Sequence, residues 1–342
     1  MRNIAACYSQ HAIKVSESYR SGPSDQSHVS PIPIPSIQDE VSCTYRARLS
    51  TGKHLLIKLS WCNLNSISIC DDPSSPSKFS SNSCYLRGAR GAKSFESCSS
   101  NINVYWNLSA AKYGDGPEPI TGFYLIIFAD SELILRLGDG GGDADGDLDL
   151  KKMIAGVPVA KFSLVSRSEH FSGGGFYSTR ARFCETGLCH EILIKCIEEK
   201  GSKSWALSVS VDHRNAIRVK RLEWNFRGNQ TIFVDGILVD VMWDVHDWFF
   251  NQTSGCAVFM FRRRNGLESR IWLEERIWDH QKEENESVGF SLLIFACKGE
   301  GEKAHQMRGK TWWWWWWRYM SLLLLRVAAI PTGPKLEISH FG

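Results

Sequence analysis

The stretch CTYRARLSTGKHLLIKLSW, Cys43–Trp61, decides the fold. Its first seven residues alternate, with Cys43, Tyr45, Ala47 and Leu49 on one side of an extended chain and Arg46 and Arg48 on the other. That period of two is the pattern of a strand with one buried face. STGK then supplies turn residues, and HLLIKLSW resumes with Leu55, Ile57, Leu59 and Trp61 on one face. The two runs predict an antiparallel hairpin.

The same pattern recurs outward along the chain. GFYLIIFADSELILRLG, Gly122–Gly138, predicts a second hairpin turning at Ala129–Ser131. Its first arm is apolar on both faces, which places it in the middle of a covered sheet. YSTRARF, HEILIKCI, SWALSVSV, AIRVKRL, QTIFVDG, ILVDVMWDV, AVFMFRR, SRIWLEE and GFSLLIFAC continue the series, with Gly, Asn or Asp between most of them. In one run the apolar positions switch from odd (Ile217, Val219) to even (Leu222, Trp224, Phe226), which predicts a β-bulge near Arg221. Helical periodicity is confined to DLDLKKMIAG, Asp147–Gly156, with Leu148, Met153 and Ile154. The expected fold is all-β: an antiparallel β-sandwich or open barrel with long Ser/Gly-rich loops and little helix.

Three regions divide the chain. Residues 1–40 form an N-terminal arm, because RSGPSDQSHVSPIPIPSIQDE is rich in Ser and Pro and favours extended solvated chain. Residues 41–298 form a single all-β domain with surface loops at 71–101 and 138–156. Residues 299–342 form a low-complexity tail containing six consecutive Trp and then four Leu, read as disordered or as an artefact of the gene model.

With 43% hydrophobic residues the chain can bury a core. The net charge of +3, from 40 Lys+Arg against 37 Asp+Glu, is too close to balance to predict a nucleic-acid partner. The 11 Cys show no Cys-x-x-Cys spacing, and their odd number leaves at least one unpaired, which favours a reducing compartment. Tyr8, Ser9, Gln10 and His11 interrupt the N-terminal apolar run, so no secretion signal is expected. The expected location is cytoplasmic or nuclear.

One constellation has the residue types for chemistry. In ILVDVMWDVHDW the odd positions Ile237, Val239, Val241, Trp243 and Val245 are apolar, and the even ones include Asp240, Asp244 and His246. A continuous strand would place Asp244 and His246 on one polar face, where a carboxylate can orient an imidazole. The plainer reading makes that face solvated and gives Asp247 the capping of a helical turn through WFFN. On that reading no residue is catalytic, and Asp244, His246 and Asp247 remain the only candidates.

Elsewhere the signals are weaker. Asp143, Asp145 and Asp147 in GDGGGDADGDLD offer oxygen ligands for calcium, yet Leu148 stands where an EF-hand loop needs its glycine. Cys184, Cys189, His190 and Cys196 match no zinc module, and the thiols are expected to be ordinary buried ones. Arg180, Arg182, Arg218, Lys220, Arg227 and Arg262–Arg264 could align as a basic stripe, or be paired across strands. No phosphate-binding loop, dinucleotide fingerprint, nucleophile elbow or His-Glu-x-x-His is present, so no cofactor is expected.

CYSQHAIKVSESY, VYWNLSAAKYGDGPEPITGFY, YSTRARF, VKRLEWNFRGNQTIFVDG, VMWDVHDWFF, AVFMFR and GFSLLIFACK together closely resemble the plant family known as domain of unknown function 868. The resemblance runs from Met1 to about Lys298 and implies no activity, substrate or catalytic residue. GDGGGDADGDLD is longer and more acidic than the matching region of relatives, and the chain beyond Lys298 does not resemble the family.

The expected function is therefore a non-catalytic β-sandwich binding or interaction module, with a protein as partner. Two alternatives stand beside it. One is an enzyme or carbohydrate-binding protein using Asp244, His246 and Asp247. The other is membrane-surface association through the Trp/Leu tail at 311–330, where Arg318 and Arg326 oppose full insertion.

Overall fold

A computed structural model describes residues 36–71, 83–140, 151–184, 186–199, 204–251, 255–264 and 289–298. The expected arm up to residue 35, Asp143, Asp145, Asp147, the SRIWLEE strand and the tail from residue 299 lie outside the described residues.

The Cys43–Trp61 hairpin is present as β1 (Ile37–Arg48) and β2 (His54–Trp61), in register from Val41↔Trp61 to Arg48↔His54. β1 starts six residues before the alternation becomes visible, so residues 37–40 are strand and not arm. The chain continues the meander with β3 (Ser66–Cys70) and β4 (Ser83–Tyr85). A second meander follows, of β5 (Arg90–Ser97), β6 (Ser100–Asn107), β9 (Tyr124–Ala129) and β10 (Glu132–Gly138), with a small β7–β8 hairpin (Lys112–Tyr113, Pro119–Thr121) inserted. The surface loop expected over 71–101 is thereby corrected: β4, β5 and the start of β6 occupy much of it. Ser, Gly and Lys conceal these strands because β5 is exposed along most of its length.

β9 is buried at all six positions, as its double apolar face requires. Leu125 and Ile127 face one core, and Tyr124, Ile126 and Phe128 face a smaller cluster covered by Met153, Ile154 and Val157. Residues 151–154 form the helical turn that carries this cover, within the range expected for helix.

The long strand β11 (Lys161–Ser172) leads to a third meander, β12 (Phe176–Ala181), β13 (His190–Glu198), β14 (Trp205–Val211) and β15 (Arg214–Val219). A fourth follows, of β16 (Arg227–Val234), β17 (Ile237–Asp244), β18 (Cys256–Arg263) and β19 (Ser291–Cys297), with the five-residue helix α1 (His246–Phe250) between β17 and β18. The expected bulge at Arg221 is also corrected. β15 ends at Val219, and Arg221 turns the chain with a positive φ of 51° before β16 begins. Leu222 is buried there and Trp224 is exposed.

Nine strands form one shared sheet in the order β16-β17-β18-β19-β11-β1-β2-β3-β4, antiparallel throughout except at β11–β19. Sheet β10-β9-β6-β5 shares one hydrophobic core with β1–β3, and sheet β12-β13-β14-β15 shares a second core with β16–β19. The fold is all-β, its pairing antiparallel apart from β11–β19, and the described strands form no closed barrel.

The order of elements repeats. The meander pair β1–β4 and β5-β6-β9-β10 has the connectivity of the pair β12–β15 and β16–β19. Each half is thus an eight-stranded meander folded into two layers. The shared sheet joins the first layer of one half to the second layer of the other, with β11 between them.

Candidate functional site

The repeat can be followed residue by residue in the hairpins β5–β6 and β16–β17. RGAKSFESCSSNINVYWN, Arg90–Asn107, and RGNQTIFVDGILVDVMWD, Arg227–Asp244, have equal length and place Arg-Gly and Trp at the same positions. Gly91 faces Trp106 across the strands, as Gly228 faces Trp243. A Cβ at either glycine would overlap the indole ring. Trp106 Nε1 donates to the carbonyl of Gly88 at 3.2 Å, and Trp243 Nε1 to that of Asn225 at 3.0 Å. Both hairpins turn through two residues of positive φ, Cys98 and Ser99 in one and Asp235 and Gly236 in the other, the geometry that suits a two-residue turn.

This repeat assigns the Asp244 cluster its local role. Asp244 is the last residue of β17, and its Oδ1 accepts the backbone N–H of His246 at 3.0 Å. At the matching place Asn107 ends β6, and its Oδ1 accepts the backbone N–H of Ser109 at 3.0 Å. A short polar side chain turning the chain two residues on is a recurrent way to end an element. The other half does the same with an uncharged amide and a hydroxyl residue.

Three expectations for this cluster are corrected. Asp244 and His246 do not share a strand face, because β17 ends at Asp244 and His246 opens α1. Asp244 binds the main chain and Arg227 Nε (2.8 Å), not the imidazole. Asp247 does not cap α1 with its side chain: its Oδ1 lies 2.9 Å from His246 Nδ1, and its main-chain carbonyl accepts Asn251 N–H. The His246 ring packs on Phe226 and Phe250, with centroids 5.2 and 4.9 Å away. Trp243 and Trp248 are buried in the second core.

His190 is the residue that local sequence reasoning undervalued. It is buried at the start of β13, with Nδ1 2.6 Å from Asp212 and Nε2 2.8 Å from Asp235. With a carboxylate at each ring nitrogen the contacts favour the imidazolium, the form that can donate from both. Burial by itself lowers the imidazole pKa, but the two carboxylate bonds outweigh it and raise it above the ordinary value. The bond to His190 in turn holds Asp212 and Asp235 below the usual carboxylate range. Asp212 lies in the β14–β15 turn and Asp235 in the β16–β17 turn, so the ring clamps turns from two layers. Cys184, Cys189 and Cys196 do not join it, and no metal-binding group occurs among the described residues. Only Cys196 of the three is buried as expected: Cys184 is half-buried and Cys189 exposed, because both lie in the connection before β13 and not within a strand.

A buried ionic network lies where the two cores meet. β11 runs between β19 and β1; its Phe171 belongs to the second core and its Phe162 packs on the first. Between them Glu169 is fully buried and accepts from Arg167 Nε (2.5 Å), Thr179 Oγ1 (2.7 Å) and Gln38 Nε2 (2.9 Å). Arg167 also binds Glu118 at 2.6 Å and donates to Cys43 Sγ at 3.6 Å. Burial pushes the Cys43 thiol up to about 12 even beside Arg167, so it stays protonated and is no nucleophile. Gln38, Cys43 and Glu118 come from the first half and Thr179 from the second.

The basic stripe does not form. β12 and β15 are opposite edges of one sheet and β18 lies in another. Arg218 pairs with Glu199, Arg227 with Asp244 and Arg264 with Asp240. Cys256 and Cys297, opposite each other on β18 and β19, form a disulfide, and Cys43, Cys62, Cys84, Cys98, Cys184, Cys189 and Cys196 are free thiols.

These features define an all-β protein built of two like halves on a shared sheet. The chain belongs to the plant protein family of unknown function DUF868, whose family model matches residues 36–298. No curated protein and no solved structure matches it.

Proposed function

We propose that the protein is a non-catalytic binding module for a protein partner, acting in the cytoplasm or nucleus. The observation that carries this reading is the pairing of Asp244–His246 with Asn107–Ser109. The constellation that the sequence singled out for acid–base chemistry makes a turn that the other half builds from Asn and Ser. His190 and Glu169, charged groups in two buried polar networks, have their hydrogen-bonding atoms engaged by neighbouring side chains. Cys43, Cys62, Cys84, Cys98, Cys184, Cys189 and Cys196 as free thiols support a reducing compartment, whereas the Cys256–Cys297 disulfide weighs against it.

Affinity capture of the tagged full chain from plant tissue tests the reading, with wild type and a D244N/H246A variant compared. The expected result is one stoichiometric protein partner held equally by both. Turnover of a metabolite by wild type that the folded double variant loses would replace this reading with the enzymatic one.

A further inference from the structure

Resting on the binding-module reading, we propose that an extended acidic peptide docks in the cleft between β4 and β5. Both are edge strands among the described residues, β4 pairing only with β3 and β5 only with β6. An edge strand offers backbone N–H and C=O groups that an extended peptide can pair. The chain crosses from one sheet to the other between these edges, leaving a cleft of about 470 Å³ lined by Tyr85, Arg87, Gly91, Ala92, Lys93 and Trp106.

The lining sets the chemistry of the occupant. Arg87 and Lys93 are exposed at the cleft, and among the described residues no carboxylate is paired with either. Lys93 rests against the Cys84 thiol, and no acidic residue lines the cleft among the described residues. Trp106 covers Gly91, so a partner side chain would rest on exposed Ala92 and Tyr85 beside the edge of that ring. Glu96 lies farther along β5, so acidic residues are favoured at the Arg87–Lys93 end. Trp106 is the only buried lining residue, and a cleft this open would not enclose a small ligand as ligand pockets do.

The second half serves as an internal comparison. It keeps the Gly–Trp pair and an edge strand, β16, but has Gln230 where the first half has Lys93 and Trp224 where it has Arg87. The fold therefore does not need the two cations, and their presence in one half alone points to binding.

Selection of a random-peptide phage library on the full chain, counter-screened with an R87E/K93E variant, tests the proposal. The expected peptides carry Asp or Glu at alternating positions and bind R87E/K93E at least tenfold more weakly, while that variant melts at the wild-type temperature. If R87E/K93E melts lower, R87Q/K93Q serves instead and should also weaken binding. Enriched peptides without acidic bias, or equally bound by the variants, would overturn this site yet leave the binding-module reading standing. Polyphosphate competing as well as the selected peptides would overturn the peptide as occupant.

Discussion

Asp244 accepts the backbone N–H of His246 at 3.0 Å, in the position where Asn107 accepts that of Ser109 at the same distance. A turn held by a side-chain oxygen tolerates an amide in place of a carboxylate, so Asp244→Asn is predicted to cost no more than about 1 kcal/mol, the worth of an exposed ion pair such as that with Arg227. Asp244→Ala loses the turn bond as well and is predicted to cost about 1–2 kcal/mol more. Urea denaturation of the three proteins checks both values.

Gly91 and Gly228 lie under Trp106 and Trp243, where an added Cβ would overlap the ring. Gly91→Ala and Gly228→Ala are each predicted to destabilise by about 1–3 kcal/mol through overpacking. The sites lie in different cores, so the double variant should lose the sum of the two. Denaturation of the two single variants and the double variant gives the answer, and a neutral result at either glycine contradicts the equivalence of the hairpins.

The His190 clamp predicts a defined pH profile. Its folded pKa is raised, so its contribution is fully present below the unfolded histidine value of about 6.5 and is lost as pH rises through the higher folded value. Asp212 and Asp235 have lowered pKa values, so their contribution is present above the unfolded aspartate value of about 3.9 and is lost as pH falls through the folded one. The melting temperature of wild type minus that of His190→Gln should therefore be greatest between about pH 4 and 6.5 and shrink above it. A difference that stays flat from pH 5 to pH 9 excludes the clamp.

The local elements were far more legible in the sequence than the contacts between them. β1–β2 and the doubly buried β9 show because their apolar positions alternate or fill both faces. β5 hides because it is an exposed edge whose Ala92, Lys93 and Ser94 resemble a loop. The two halves share little beyond Arg-Gly and Trp in their hairpins, since only the glycine under the ring and the ring itself are fixed by contact. His190 finds its carboxylates 22 and 45 residues away, in turns that only the assembled layers bring together. The Arg-Gly and Trp at matching spacing is the signal that would have exposed the repeat, and with it the role of Asp244.

Cys256 and Cys297 are neighbours across β18 and β19 and lie 41 residues apart in sequence. Closing a loop of that length is worth up to about 4 kcal/mol in the chain-entropy account. Reductant, or a C256S/C297S variant, should lower the melting temperature of the oxidised protein. Unchanged melting in reductant would show that the strands do not rely on the bond.

The most direct test of the claim that the Asp244 cluster is a repeated element of the fold is to write the first half's turn into the second. The D244N/H246S variant of the full chain reproduces the Asn–Ser pair of residues 107 and 109, and its urea midpoint and capture of the wild-type partner are measured together. The prediction is a loss of no more than about 2 kcal/mol, from the ion pair and the ring packing of His246, with partner capture unchanged. A folded variant that has lost its partner, or a loss above about 4 kcal/mol, would contradict it.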